Sequence, residues 1–156
     1  PSLCTLHEAM AWGRKAGAWF GLELKTVPLD MQKQNIALVE RIADELHSSG
    51  MTARVFVFGQ DYQVLRHLKI YAADVPIGLI VPFVPLNPVA LMKEMDAVIY
   101  LSYIYNMTPE IITDLQKNGF YVSGAILRDE KWVARARELG VNMFESDNPE
   151  KCTRKS

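Results

Sequence analysis

Glu23 and Lys25 stand two residues apart inside an otherwise apolar run, AWFGLELKTVPLD, residues 18–30. In an extended segment side chains alternate between faces. Trp19, Gly21, Glu23 and Lys25 then share one face, and Phe20, Leu22 and Leu24 the other. An acid and a base on one face near a strand's end suit either an inward-facing ion pair or a working site. Burying both without a partner or a purpose would be costly. Further polar residues fall where apolar runs end: Gln60 and Asp61, Tyr103 and Asn106, Arg128, then Glu145 and Asp147. Each has an ordinary role to set against a chemical one. Asp61 is placed to cap the helix after it, and Asp147, before Asn148 and Pro149, to form a turn. Arg128 and Asn106 read as loop residues. His7, His47 and His67 all fall within predicted helices, where surface or packing roles suit them.

The elements that must position these residues follow a repeating pattern of helix, glycine, short apolar strand and polar loop. TLHEAMAWGRKAG opens with Thr5 and, three residues on, Glu8, a capping box, and closes at Gly17. The strand holding Glu23 follows at once. NIALVERIADELHSSG puts Ile36, Val39, Ile42, Ala43 and Leu46 on one helical face and ends at Gly50. ARVFVFG reads as a strand, and the helix capped by Asp61 carries the stripe Val64, Leu65 and Leu68. PIGLIV (76–81) is a buried strand, residues 88–95 a short helix, and DAVIYLS (96–102) the next strand. Thr108 caps a helix with Pro109 at its first position, ending at Gly119. FYVSGAI, a helix over 129–139, Gly140 and VNMFES complete the series.

Six strands centred near 20, 56, 78, 99, 122 and 143 result, and after the first gap they recur roughly every 22 residues. Apolar strands alternating with amphipathic helices predict a parallel sheet covered on its faces. A doubly wound open sheet is the rival, weakened by the lack of a Gly-rich phosphate turn after the first strand. The short, even units favour a (β/α) barrel, in which chemistry sits where strands end and the following loops begin.

The chain has 156 residues, 49% of them hydrophobic, with a net charge of −1 and a pI near 6.4. Length predicts one domain over 1–156 with a real core. The charge balance argues against nucleic acid as a partner, and Lys151, Arg154 and Lys155 read as solvated tail charges. No apolar stretch reaches the ~20 residues that span a bilayer. No signal peptide is recognisable, which places the chain in the cytoplasm by expectation. Cys4 and Cys152, at opposite ends and without metal-ligand spacing, read as two reduced thiols. The chain begins with Pro1 rather than Met, and the expectation is a piece of something longer.

TLHEAMAWGRKAGAWFGLELKT resembles a segment of the glycerophosphodiester phosphodiesterase family: Thr-Leu-x-Glu-(Ala/Val)-Leu, a helix, then a strand ending Glu-(Ile/Leu)-Lys. ARELGVNMFESDNP is similar to that family's closing Leu-Gly-Val-Asp-Gly-Ile-Ile-Thr-Asp-x-Pro, and VFVFGQDYQVLRHLKIYAADVPIGLIV to its fourth strand, helix and fifth strand. The resemblance implies metal-dependent hydrolysis of phosphoric diesters in lipid metabolism on an eight-stranded barrel, with magnesium or calcium as cofactor. It makes Glu23 a metal-ligating glutamate and Lys25 a catalytic lysine near the substrate phosphate. A hard cation and an ammonium group can share the charge that grows on phosphate oxygens during attack.

The chain also departs from that pattern. The family's His-Arg-Gly strand, its Glu-x-Asp strand and a second histidine all precede the Thr-Leu-x-Glu helix, where this sequence starts. The fourth-strand Ser-Phe is Gly59-Gln60 here, and the seventh-strand Trp-Thr is Ala125-Ile126, which removes an aromatic wall of the pocket. The expectation is therefore an α/β partial TIM-like barrel, six of eight parallel strands, inactive alone with its metal site weak or absent. Its ligand would be a glycerophosphodiester or another phosphorylated small molecule. The alternative is a non-catalytic remnant serving phosphate-ligand binding or oligomerisation. Open edges at 18–25 and 141–146 invite a second copy or a supplied N-terminal segment.

Overall fold

The structure, a computed structural model, describes residues 3–28 and 31–152; the tail charges Arg154 and Lys155 lie outside the described residues. Six parallel strands are ordered β1-β2-β3-β4-β5-β6 in one sheet, each neighbour in space also the neighbour in sequence. Helices stand between the strands, so the fold class is the expected partial (β/α) barrel. Residues up to Gly78 form one compact unit, and those from Leu79 onward a second, with the boundary inside β3 (Ile77–Ile80).

The first unit opens with α1 (Leu6–Ala16), fixed at its start by the expected capping box. Thr5 Oγ1 accepts from the Glu8 N–H at 3.2 Å, and Glu8 Oε2 accepts from the Thr5 N–H at 2.8 Å. Gly17 ends the helix in the left-handed region at φ 68°. β1 (Phe20–Leu24) follows and pairs with β2 (Val55–Gly59) in register Gly21 to Phe56 and Glu23 to Phe58. Between them α2 (Gln32–Ser49) begins three residues before the expected Asn35, without a side-chain cap, and buries Asn35, Val39, Ala43 and Leu46. Ile36 and Ile42, placed on the same stripe by the sequence, are only half-buried. Asp61 caps α3 (Tyr62–Tyr71) by accepting from the Val64 N–H at 3.1 Å, and Val64, Leu65 and Leu68 pack inward as the stripe predicts.

In the second unit, Asn87 caps the short α4 (Pro88–Glu94), which leads to β4 (Ile99–Tyr103), so that strand starts three residues later than the apolar run. Thr108 caps α5 (Pro109–Lys117) with proline at the first turn, as expected. β5 (Tyr121–Ala125) pairs with β4 on one side and with the two-residue β6 (Met143–Phe144) on the other. α6 (Glu130–Leu139) is capped by Asp129 and ends at Gly140 in the left-handed region. Met92, Ile112, Leu115, Val122, Val133 and Ala136 form the core of this unit. Cys4 is an exposed free thiol and Cys152 a buried one.

Candidate functional site

The sheet face carrying Glu23 is identified by its opposite. Phe20 meets Trp12 of α1 with ring centroids 6.1 Å apart, and a Cβ added to Gly13 of α1 would overlap the Phe20 ring. Phe20, Leu22 and Leu24 therefore face the helices, while Gly21, Glu23 and Lys25 face away from them. On that second face Gly21 has a steric reason. A Cβ there would lie 2.6 Å from Phe56 Cζ and 3.1 Å from Phe58 Cε1, so glycine lets both rings lie over β1. The two rings are 5.4 Å apart and form an apolar floor beside Glu23.

Lys25 Nζ and Glu23 Oε1 are 2.5 Å apart, with 79% of the lysine and 36% of the glutamate side chain exposed. The ion pair, one of the two alternatives the sequence left open, forms, but with both heads exposed the burial penalty argued for it does not apply. Both heads are reachable from solvent. The segment just after Lys25 is gripped by Asn35, one of the few buried polar side chains (2% exposed). Its Oδ1 accepts from the Val27 N–H at 2.9 Å, and its Nδ2 donates to the Val27 carbonyl at 3.0 Å and to Gln32 Oε1 at 3.0 Å. Two-point anchoring of one residue's backbone fixes the chain two positions beyond Lys25. Sequence reasoning missed Asn35; an uncapped helix start with an amide in its first turn was the available signal.

The remaining candidates take largely structural parts. Gln60 is exposed at the end of β2, and Asp61 is spent on its cap. In the second unit Asn106 Nδ2 donates to the Pro82 carbonyl at 2.7 Å, and Arg128 faces Asp147 at 3.9 Å. The turn after β6 is clipped by Ser146, whose Oγ donates to the Leu127 carbonyl and accepts from the Asn148 N–H. Glu145 accepts from the Leu127 N–H through its backbone carbonyl. Tyr103, at the end of β4, stacks on Tyr105 at 5.1 Å, and Tyr105 meets Trp132 edge-on at 6.4 Å. Tyr103 is the register partner of Ala125 on β5, so one ring of this group stands beside the position where the sequence lacks an aromatic residue.

The histidines hold helices together. His7 of α1 pairs with Glu45 of α2, His67 of α3 with Glu40 of α2, and His47 of α2 with Asp74 just after α3, at 2.8–3.1 Å. The His47 hydrogen bond holds the Asp74 carboxyl below its usual range.

For a divalent cation the donor set does not fit. Glu23 offers one carboxylate, already engaged by Lys25, and among the described residues no three of His, Cys, Asp and Glu come together. Magnesium and calcium take six or more oxygens, mostly from several carboxylates, carbonyls and waters.

Over 96% of its length the chain matches 54% of a provisionally named glycerophosphoryl diester phosphodiesterase from Silicibacter pomeroyi, with a TM-score of 0.88 at 18% identity. An Oleispira antarctica phosphodiesterase solved with its product sn-glycerol-3-phosphate matches at TM-score 0.81 and 18% identity, over 95% of this chain and 59% of that one. The chain has the glycerophosphodiester phosphodiesterase fold. The Agrobacterium tumefaciens glycerophosphodiester phosphodiesterase agrees, at TM-score 0.75 and 18% identity, over 96% of this chain and 61% of its own. No family model matches the chain, and no curated protein matches it in sequence. The chain spans little more than half the length of these phosphodiesterase structures. No described helix is long and apolar enough to cross a membrane.

Proposed function

We propose that this chain is a glycerophosphodiester phosphodiesterase-like module that binds a phosphorylated small molecule through Lys25 and does not complete hydrolysis on its own. The observation that carries the reading is the exposed Lys25–Glu23 pair at the end of β1, on the face turned away from the helices. Strand ends are where barrels of this class gather their chemistry. The Lys25 ammonium can leave Glu23 for a phosphate oxygen at little cost, because an exposed ion pair is worth about 0–1 kcal/mol. Asn35 keeps the backbone beyond Lys25 in place while that exchange occurs. The product bound by the Oleispira antarctica phosphodiesterase, sn-glycerol-3-phosphate, supplies the ligand class.

Hydrolysis needs a group to move protons at the scissile ester. The three histidines sit in the helix layer with carboxylate partners, and no step is assigned to them or to a cation. Titration calorimetry with sn-glycerol-3-phosphate tests the reading. We expect saturable binding that falls at least about tenfold in Lys25→Ala, the loss of a charge-assisted hydrogen bond. Release of glycerol phosphate from a glycerophosphodiester above background, abolished by Glu23→Ala, would replace the binding module with an enzyme.

A further inference from the structure

From Val75 to Met92 no residue carries a charge. The strand part of this stretch is accounted for, since Ile77, Leu79 and Val81 are buried. The loop part is not. Phe83 is 83% exposed, Val84 45% and Leu86 108%, three large apolar side chains within four residues, all in water. We infer that residues 82–87 form an interfacial anchor that inserts Phe83, Val84 and Leu86 into a phospholipid surface.

The loop is built to keep these side chains out. Pro82, Pro85 and Pro88 fix their backbone angles and restrict the residues before them, so the tip cannot readily fold back over its own apolar groups. Its polar groups are tied down from behind. Asn106 Nδ2 donates to the Pro82 carbonyl at 2.7 Å, and Asn87 Oδ1 accepts from the Ala90 N–H at 2.8 Å as it caps α4. Next to Asn106 stands Tyr105, 63% exposed, stacked on Tyr103 and in edge contact with Trp132, over which Lys131 Nζ lies 5.7 Å from the ring centroid. Tyrosine and tryptophan, apolar with a polar tip, are the residues that settle at the headgroup level of a bilayer. The Asn106–Pro82 hydrogen bond ties the segment that carries Tyr105 to the base of the loop. An apolar tip is thus joined at its base to a ring-bearing segment, as the layering of a lipid interface asks.

A protein partner fits the same loop less well. Three prolines among residues 82–88 remove three backbone donors, so the loop cannot template an added strand. A tip of four residues is also far short of the roughly 1,000 Å² that a stable protein interface needs. Insertion into lipid asks only for apolar area. The stretch from Val75 to Met92 that holds the loop carries no charged side chain to meet a lipid headgroup. Apolar insertion rather than attraction to anionic lipid therefore drives the contact, independently of any phosphate site at Lys25.

The test is vesicle flotation of the whole chain with phosphatidylcholine alone and with added phosphatidylserine. We expect flotation with phosphatidylcholine, little changed by phosphatidylserine or by raised salt. The double variant Phe83→Ser, Leu86→Ser, with its fold checked by circular dichroism, should bind at least about tenfold more weakly, given the apolar area removed. A Phe83→Trp variant should be quenched by brominated phosphatidylcholine well beyond the background of the native tryptophans. Flotation retained in the folded double variant, or absent from the native chain with both lipids, would overturn the proposal. So would a double variant that shifts the chain from dimer to monomer in sedimentation without either form floating, since a second copy would then cover the loop.

Discussion

At the scale of single residues, Glu23 and Lys25 contact each other while most of the lysine remains in water. An exposed pair contributes about 0–1 kcal/mol, so Glu23→Gln should leave the melting temperature nearly unchanged. Its effect on ligand binding should be larger. The carboxylate competes with a phosphate for the Lys25 ammonium and repels it; like charges about 4 Å apart in water cost roughly 1 kcal/mol. Without divalent cations, Glu23→Gln should therefore bind sn-glycerol-3-phosphate roughly two- to fivefold more tightly by calorimetry. Weaker binding in the variant, with a dependence on magnesium or calcium seen only in the native chain, would mean that Glu23 holds a cation after all. The alternation that put this pair on one face was legible from a few residues of sequence, as were the caps at Thr5, Asp61 and Thr108. The exposure of the pair was not, because it depends on what lies across the sheet face. The Tyr103, Tyr105 and Trp132 group was equally hidden, since only the fold brings α6 to the turn after β4.

At the scale of elements, α2 joins the site to the helix layer. Its N-terminal turn supplies Asn35 to the loop after β1, while Glu40, Asp44, Glu45 and His47 along its length reach side chains on α1, on α3 and just after α3. The sequence showed this helix by its apolar period but placed its start too late. The first turn has no side-chain cap, and its amide bonds backbone eight residues upstream, which no local pattern reveals. Asn35→Ala would strip partners from the Val27 N–H and carbonyl. Since Val27 is partly open to water, the cost should be roughly 1–3 kcal/mol in denaturant unfolding. If Asn35 positions Lys25, affinity for sn-glycerol-3-phosphate should also fall, about fivefold, in solution well below the melting transition. Lower stability with unchanged affinity would leave Asn35 a structural residue only.

At the scale of the whole molecule, the six strands were legible because each is a short apolar run between glycine or capping signals, and their number and spacing followed directly. What the periodicity could not give was the fate of the sheet's ends. β1 pairs with β2 and β6 with β5, and among the described residues no strand pairs their other edges. The phosphodiesterase structures that share this fold use 54–61% of their length to match this chain, so 39–46% of each has no counterpart here. An open edge presents unpaired N–H and C=O groups that template further pairing unless charge, proline or a covering segment blunts it. Near the β1 edge the surroundings are apolar, with Trp12 61% and Trp19 75% exposed. Only Glu23 and Lys25, at one end of the strand, carry the charge that discourages edge-to-edge association. The chain studied alone should therefore self-associate. Sedimentation velocity should show a coefficient that rises with concentration through the micromolar range. A Trp19→Lys substitution, placing a second cation on the same face as Lys25, should shift the profile toward monomer without changing the circular dichroism spectrum. A native chain that stays monomeric throughout that range would mean that the edge does not drive association, and the apolar-edge argument would fail.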